Sequence, residues 1–436
     1  MRTKTLLLAV LLAGPARSGA ESAAYALVGG RVVTVSGGVL EKGTVLLRDG
    51  LVAGVGENLA VPEGARVLDA AGLVLTPGLI DGFGGIGLPA PPARSREAGA
   101  AAAQPASPVP GPLAAEAMTL DLLRPADAVK HRDSGITTAL VVRREGVLPG
   151  RSVLVNLAGD KPEEMVLRQP AALHLHLTAL SRQYPGSLMG TMAYVRQALL
   201  DAARYREEWA AYEKAPAGRK RPAYDKRLAA WQDVTAGRET FVVTASREND
   251  IRRALALADE FKLRLAVAGA PQASRLAALV KSRNLPLLVS VNFDPPRSAP
   301  EGFGGFGGTD DDEQRKEIED AKRNPGALEK AGVRFALVSG FAPDFLAGVR
   351  TAIASGLSKE GALRAVTLGA AEALGIADRT GSLEAGKMAN VVAWSGEPLT
   401  KEAKAKWVFV DGRLYEPEEK TEAKKDGPAS ESEEQR

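Results

Sequence analysis

Between two β-rich ends, short apolar runs alternate with helical patterns, and this alternation constrains the chain more than any other feature. The runs fall at residues 75–83, 137–142, 152–157, 173–177, 241–245, 263–268, 285–291 and 334–338, eight in all. Eight strands separated by helices are what a (β/α)8 barrel requires. Residues 251–261 illustrate the helical partner, with Ile251, Leu255 and Ala258 recurring at helical spacing before the next apolar run.

The ends read differently. Strand patterns cover 27–35 and 43–55, and Asp49-Gly50 between Val45-Leu46-Leu47 and Leu51-Val52 is a strong hairpin signal. A second set covers 389–394, 407–410 and 414–415, with Asp411-Gly412 at its turn. The expected fold is therefore α/β: a TIM-like barrel over 76–378, with a small composite β-sandwich assembled from residues 21–75 and 379–415.

A chain of 436 residues, 45% hydrophobic and 25% charged, is long enough for both parts. Residues 1–20 read as a secretory signal: Arg2 and Lys4, a short apolar run, then Ser18-Gly19-Ala20. A periplasmic or secreted location is expected, without a stable membrane anchor after cleavage. Cleavage would remove Arg2, Lys4 and Arg17 and no acid, taking the formal charge from +3 to 0, so no nucleic-acid partner is implied. Absence of cysteine excludes disulfides, thiolate metal sites and a cysteine nucleophile.

Three segments depart from a compact barrel. Residues 89–112, rich in Ala and Pro, read as a loop after the first barrel strand, and 416–436 as a disordered charged tail. Residues 192–235 form a helical excursion in which Tyr205, Trp209 and Tyr212 share one face. That face packs on its own barrel or contacts another subunit.

Leu75-Thr76-Pro77-Gly78-Leu79-Ile80-Asp81-Gly82-Phe83-Gly84-Gly85 resembles the first barrel strand of the amidohydrolase superfamily, in which the Asp is followed by His-x-His. A second resemblance, to imidazolonepropionase-like members, covers Gly356-Leu357-Ser358-Lys359-Glu360-Gly361-Ala362 and Gly381-Ser382-Leu383-Glu384-Ala385-Gly386-Lys387. There Ser358 can cap the following helix and Gly375 can end the next one. The resemblance implies metal-dependent hydrolysis of C–N bonds, with ligands at five positions. Those positions hold Phe83, Gly85, Thr244, Ala268 and Gly340, and none is a metal ligand of that family. Without a bound cation a water keeps a pKa near 15.7 rather than about 7, so the family's nucleophile would be missing.

The chain has three histidines. His174 and His176 lie two apart on a predicted strand and so face the same side, as a metal pair would; a structural or ligand-contact role is the other reading. His131 reads as a solvated residue at a helix end. Asp81 is expected to hold backbone amides, and Asp344 to cap a helix. The acidic run Asp310-Asp311-Asp312-Glu313 lacks the spacing of a calcium loop and reads as a solvated loop. Gly302 to Gly308 lacks the Lys-Ser or Lys-Thr of a phosphate loop, and no Gly-x-Ser-x-Gly elbow occurs.

These readings lead to two expectations. The first is an exported pseudoenzyme with no catalytic residues and no cofactor, binding a small molecule through Phe83, His174, His176 and Thr244 at the barrel mouth or partnering an intact homologous amidohydrolase subunit. The alternative is an active hydrolase of amide or cyclic amide bonds, with zinc or another divalent metal at His174, His176 and a carboxylate.

Overall fold

The computed structural model describes residues 24–89, 113–180, 184–293 and 311–417. The leader expected at 1–20, nearly all of the 89–112 segment, the glycine run and the tail beyond residue 417 lie outside the described residues.

Five strands open the chain: β1 (Tyr25–Val33), β2 (Val39–Arg48), β3 (Leu51–Gly56), β4 (Arg66–Asp69) and β5 (Val74–Pro77). Asp49 and Gly50 both take positive φ, 54° and 76°, the primed turn that matches the twist of a β2–β3 hairpin. β5 runs into the barrel with only Gly78 between. A Cβ on Gly78 would stand 2.1 Å from the Thr137 hydroxyl, so this junction admits no larger residue.

The barrel strands are β6 (Leu79–Gly84), β7 (Ile136–Val141), β8 (Gly150–Arg151), β9 (Val153–Asn156), β10 (Val166–Arg168), β11 (Ala172–His176), β12 (Thr240–Ala245), β13 (Leu265–Gly269), β14 (Leu287–Ser290) and β15 (Ala336–Val338). β6 and β7 pair in parallel, and β11 through β15 form a parallel series. The Gly340 N–H donates to the Phe83 carbonyl at 3.0 Å and ties the end of β15 back to β6.

All eight apolar runs form barrel strands, with one correction to their direction. β8 and β9 act as one rung between β7 and β11 and run antiparallel to both. Residues 142–149 are all that connect β7 to β8. A parallel crossover needs a dozen or more residues, so this rung must run backwards.

Ile80, Leu140, Val242, Ala266, Leu288 and Val338 fill the barrel interior, and Leu374 of the helix Leu368–Leu374 closes its lower end. Outside the strands, the helix Glu248–Phe261 buries Ile251, Leu255 and Ala258, the stripe its spacing predicts. Ser358 accepts a hydrogen bond from the Gly361 N–H, and Gly375 ends its helix at φ 65°. Asp344 caps the helix Phe345–Ala354, whereas Asp312 and Glu313 begin the helix Asp311–Lys330 rather than a loop.

The last strands, β16 (Val391–Trp394), β17 (Ala405–Val410) and β18 (Arg413–Tyr415), return to the first. β16 pairs antiparallel with β5, giving one sheet of order β18-β17-β16-β5-β1-β2-β3 with β4 also on β1. The sheet curls until both ends share one core of Leu27, Val45, Val52, Val391 and Phe409. Because β5 belongs to this sheet, the small domain extends to Pro77 rather than ending at residue 75.

In the excursion, the helix begins at Leu188, earlier than the expected 192, and Ser187 caps it. Met192, Val195, Leu199 and Ala202 pack on the barrel. Tyr205, Trp209 and Tyr212 stack edge to face, and their own returning segment covers them in part. Asp225 N–H reaches the Tyr205 hydroxyl at 3.4 Å, and the Arg221 guanidinium lies 5.6 Å from the Trp209 ring. No described helix is long and apolar enough to cross a membrane.

Candidate functional site at the barrel mouth

A bulge in β6 shapes the site. Asp81 lies opposite Ala139 and Gly84 opposite Val141, so β6 carries one residue more than β7 over this stretch. Phe83 thereby turns into the barrel and is only 3% exposed. Asp81 is fully buried, and its Oδ1 accepts from the Ser339 N–H at 2.9 Å and from the Phe83 N–H at 3.3 Å. Asp81 therefore does hold backbone amides. Burial raises its pKa, against the opposing pull of its hydrogen bonds with Ser339.

The four residues singled out from sequence come together. The Phe83 ring centroid lies 5.8 Å from that of His174 and 6.4 Å from that of His176. His176 on β11 and Thr244 on β12 occupy the same register, one strand apart. His174 lies deeper and is fully buried, and its Nε2 sits 2.8 Å from Ser152 Oγ. Desolvation lowers the His174 pKa to about 3, with the neighbouring His176 adding to the effect. His176 falls to about 4, again through desolvation, partly offset by a hydrogen bond to the Gly146 backbone. Both rings are neutral at pH 7. His131 stands apart, in the helix Pro125–Asp133.

Sequence reading missed Phe341. Its ring packs edge to face on Phe83 at 5.4 Å, and its backbone adopts φ 67°, an outlier for a bulky residue. The Arg144 guanidinium covers this ring from 5.6 Å. An aromatic one residue beyond Gly340 was the available signal; the turn that swings it over the mouth was not.

Backbone geometry constrains the same positions. A Cβ on Gly85 would meet the Phe341 ring at 3.3 Å. Gly340 adopts φ 56°, and a Cβ there would stand 1.9 Å from Ser290 Oγ and 2.7 Å from Ser290 Cβ. The Asn292 side-chain amide donates to the Gly340 carbonyl at 3.1 Å and secures the turn.

The amidohydrolase family model matches residues 287–414. Dihydroorotases of Citrifermentans bemidjiense and Geobacter sulfurreducens are each 51% identical over 53 residues, only 12% of this chain and 12% of theirs. An amidohydrolase from Thermotoga maritima MSB8 superposes with a TM-score of 0.76 at 23% identity, covering 89% of this chain and 99% of that one. Ochratoxinase of A. niger covers 90% and 96% at 13% identity, with a TM-score of 0.51. The fold is that of amidohydrolases, and together with the family match it supports the amidohydrolase superfamily.

Metal chemistry of that superfamily asks for nitrogen and oxygen donors at the strand ends. At the positions that the resemblance assigns to ligands stand a phenyl ring, two glycines, a methyl group and one hydroxyl, at Phe83, Gly85, Gly340, Ala268 and Thr244, and the nitrogen donors near them are His174 and His176 on β11. Among the described residues, no group of three or more His, Asp or Glu converges.

Proposed function

We propose that this chain is a pseudoenzyme on the amidohydrolase scaffold, binding a small molecule at the barrel mouth or supporting an intact homologous subunit. One observation carries the reading: the Phe83–Phe341 pair occupies the ground where first-strand ligands would stand, while Gly340 has no room for a side chain. Loss of donors alone could be reversed by substitution. Here the backbone has adapted around the loss.

The helix face of Tyr205, Trp209 and Tyr212 would be the partner surface, and the leader would deliver the protein to the periplasm or beyond. The competing reading, a hydrolase of C–N bonds using His174, His176 and a carboxylate, draws support from the two neutral imidazoles sharing the mouth. Asp81 is a buried carboxylate of the same barrel.

Elemental analysis of protein purified without chelator or affinity metal separates the two readings. Far less than one ion per chain, with no turnover of amides and cyclic amides, is expected. Dihydroorotate belongs in that panel because of the 53-residue match. One or two ions with turnover would overturn the proposal.

A further inference from the structure

The hydrogen-bond network around the two histidines assigns their tautomers, and the assignment describes a ligand. Ser152 Oγ donates its proton to the Ala172 carbonyl at 3.2 Å. With that proton so placed, the ring donates across the 2.8 Å contact from His174 Nε2, the tautomer that leaves no ring N–H buried without an acceptor. Nδ1 of His174 is left as a bare acceptor, and it is buried without a hydrogen-bond partner. The His176 ring hydrogen-bonds the Gly146 backbone, and of its two nitrogens Nε2 is the one buried without a partner. His176 Nε2, likewise buried without a partner, is therefore also a bare acceptor. Thr244 Oγ1 is a third unpartnered polar atom, one strand across from His176 at the same register.

Buried acceptors without donors are costly, and a site that retains them at its mouth calls for a donor from outside. Charge narrows the choice. An anion would face the imidazole lone pair on His176. A cation would approach the Arg144 guanidinium, which already lies over Phe341, and the buried Arg143 beside it.

We propose that the mouth takes a small, flat, uncharged molecule that delivers an N–H to His176 Nε2, contacts Thr244 Oγ1, and rests on the Phe83 and Phe341 rings. This rests on the metal-free reading above, because a metal would consume the same lone pairs. Phe83 and Phe341 provide aromatic faces and edges for a flat ring. His174, beneath Phe83, positions the strand through Ser152 without reaching the ligand.

Three histidines make the test tractable. In protein carrying 15N-labelled histidine, long-range proton–nitrogen correlation spectra report the tautomer of each ring. His174 is expected to carry its proton on Nε2, and His176 to be bare at Nε2. Titration with 2-aminopyrimidine should move the His176 Nε2 resonance, whereas 2-(dimethylamino)pyrimidine, the same ring without an N–H, should not. Thr244→Val should weaken the amino probe about three- to tenfold, the worth of one hydrogen bond. Equal responses to both probes, or none to either, would overturn the ligand class and leave the metal-free reading intact. A shift of the bare nitrogens on adding chelator alone would instead show that a metal had been bound, and the reading beneath would fall with the proposal.

Discussion

Gly340→Ala puts the turn after β15 to a quantitative test. At φ 56° an L side chain costs about 1–2 kcal/mol relative to glycine. The added Cβ would lie 1.9 Å from Ser290 Oγ, so that hydroxyl must rotate away, giving up the hydrogen bond it accepts from the Asn292 N–H at 3.1 Å. That loss adds about 1–2 kcal/mol. Rotation leaves the 2.7 Å approach to Ser290 Cβ in place, so the backbone must also shift. The total comes to about 2–4 kcal/mol. Urea unfolding measures it as a fall in midpoint at constant slope. In a Ser290→Gly background the clash is absent, and Gly340→Ala should cost only the backbone share, about 1–2 kcal/mol. The coupling between the two sites is therefore about 1–2 kcal/mol. If Gly340→Ala changes stability by less than about 0.5 kcal/mol, or costs the same in both backgrounds, the steric account of this turn is wrong.

Phe83→Ala should cost about 3–5 kcal/mol, the usual range for emptying a buried phenyl site, and Phe83→His should bring no bound metal by elemental analysis. Acid should destabilise the barrel. His174 and His176 titrate at about 3 and about 4 when folded, against the ordinary histidine value of 6.5, so the unfolded chain binds more protons as pH falls below 6.5. Each ring then removes about 1.4 kcal/mol per pH unit until its folded pKa is reached, while Asp81, with its raised pKa, acts in the opposite direction. Unfolding midpoints from pH 7 to pH 5 should therefore fall steeply in the native chain and less steeply in His174→Gln; parallel slopes would contradict the assignment. Asn156→Ala should cost about 2–3 kcal/mol by removing a hydrogen bond from Thr138 within the barrel and the two, with Asn390 and Asp411, that join barrel to sheet. Hydrogen exchange should then quicken around residues 388–412, and unchanged protection there would refute the link.

Much of this architecture was legible because it is local. Strand runs, the Asp49-Gly50 and Asp411-Gly412 hairpins, and the caps at Ser358 and Asp344 all follow from residue type and spacing, and each occurs in the structure. Strand direction is not local. Apolarity marks 152–157 as a strand without giving its sense, although the shortness of 142–149 carried that information. For the candidate site, strand periodicity put His174 and His176 on one side, whereas Phe83 and Thr244 came from the family resemblance. Phe341 escaped because its position depends on a positive φ that only the packing of Ser290, Asn292 and Phe83 around it sustains. The tautomers escaped for a similar reason, since Ser152 and Gly146 come from outside the histidine strand.

β5 leads into β6 across a single residue, yet its sheet partner β16 lies more than 300 residues further along the chain: Thr76 pairs with Val392. During synthesis, β5 therefore leaves the ribosome with one flank of backbone amides and carbonyls unpaired. That flank stays open until the final strands emerge, by which time most of the barrel has been made. An unpaired strand edge is a template for foreign strands, so the nascent chain is most open to aggregation during this interval. Loss of the last fifty residues would make the interval permanent, which places the C-terminal strands among the determinants of whether the protein survives its own production.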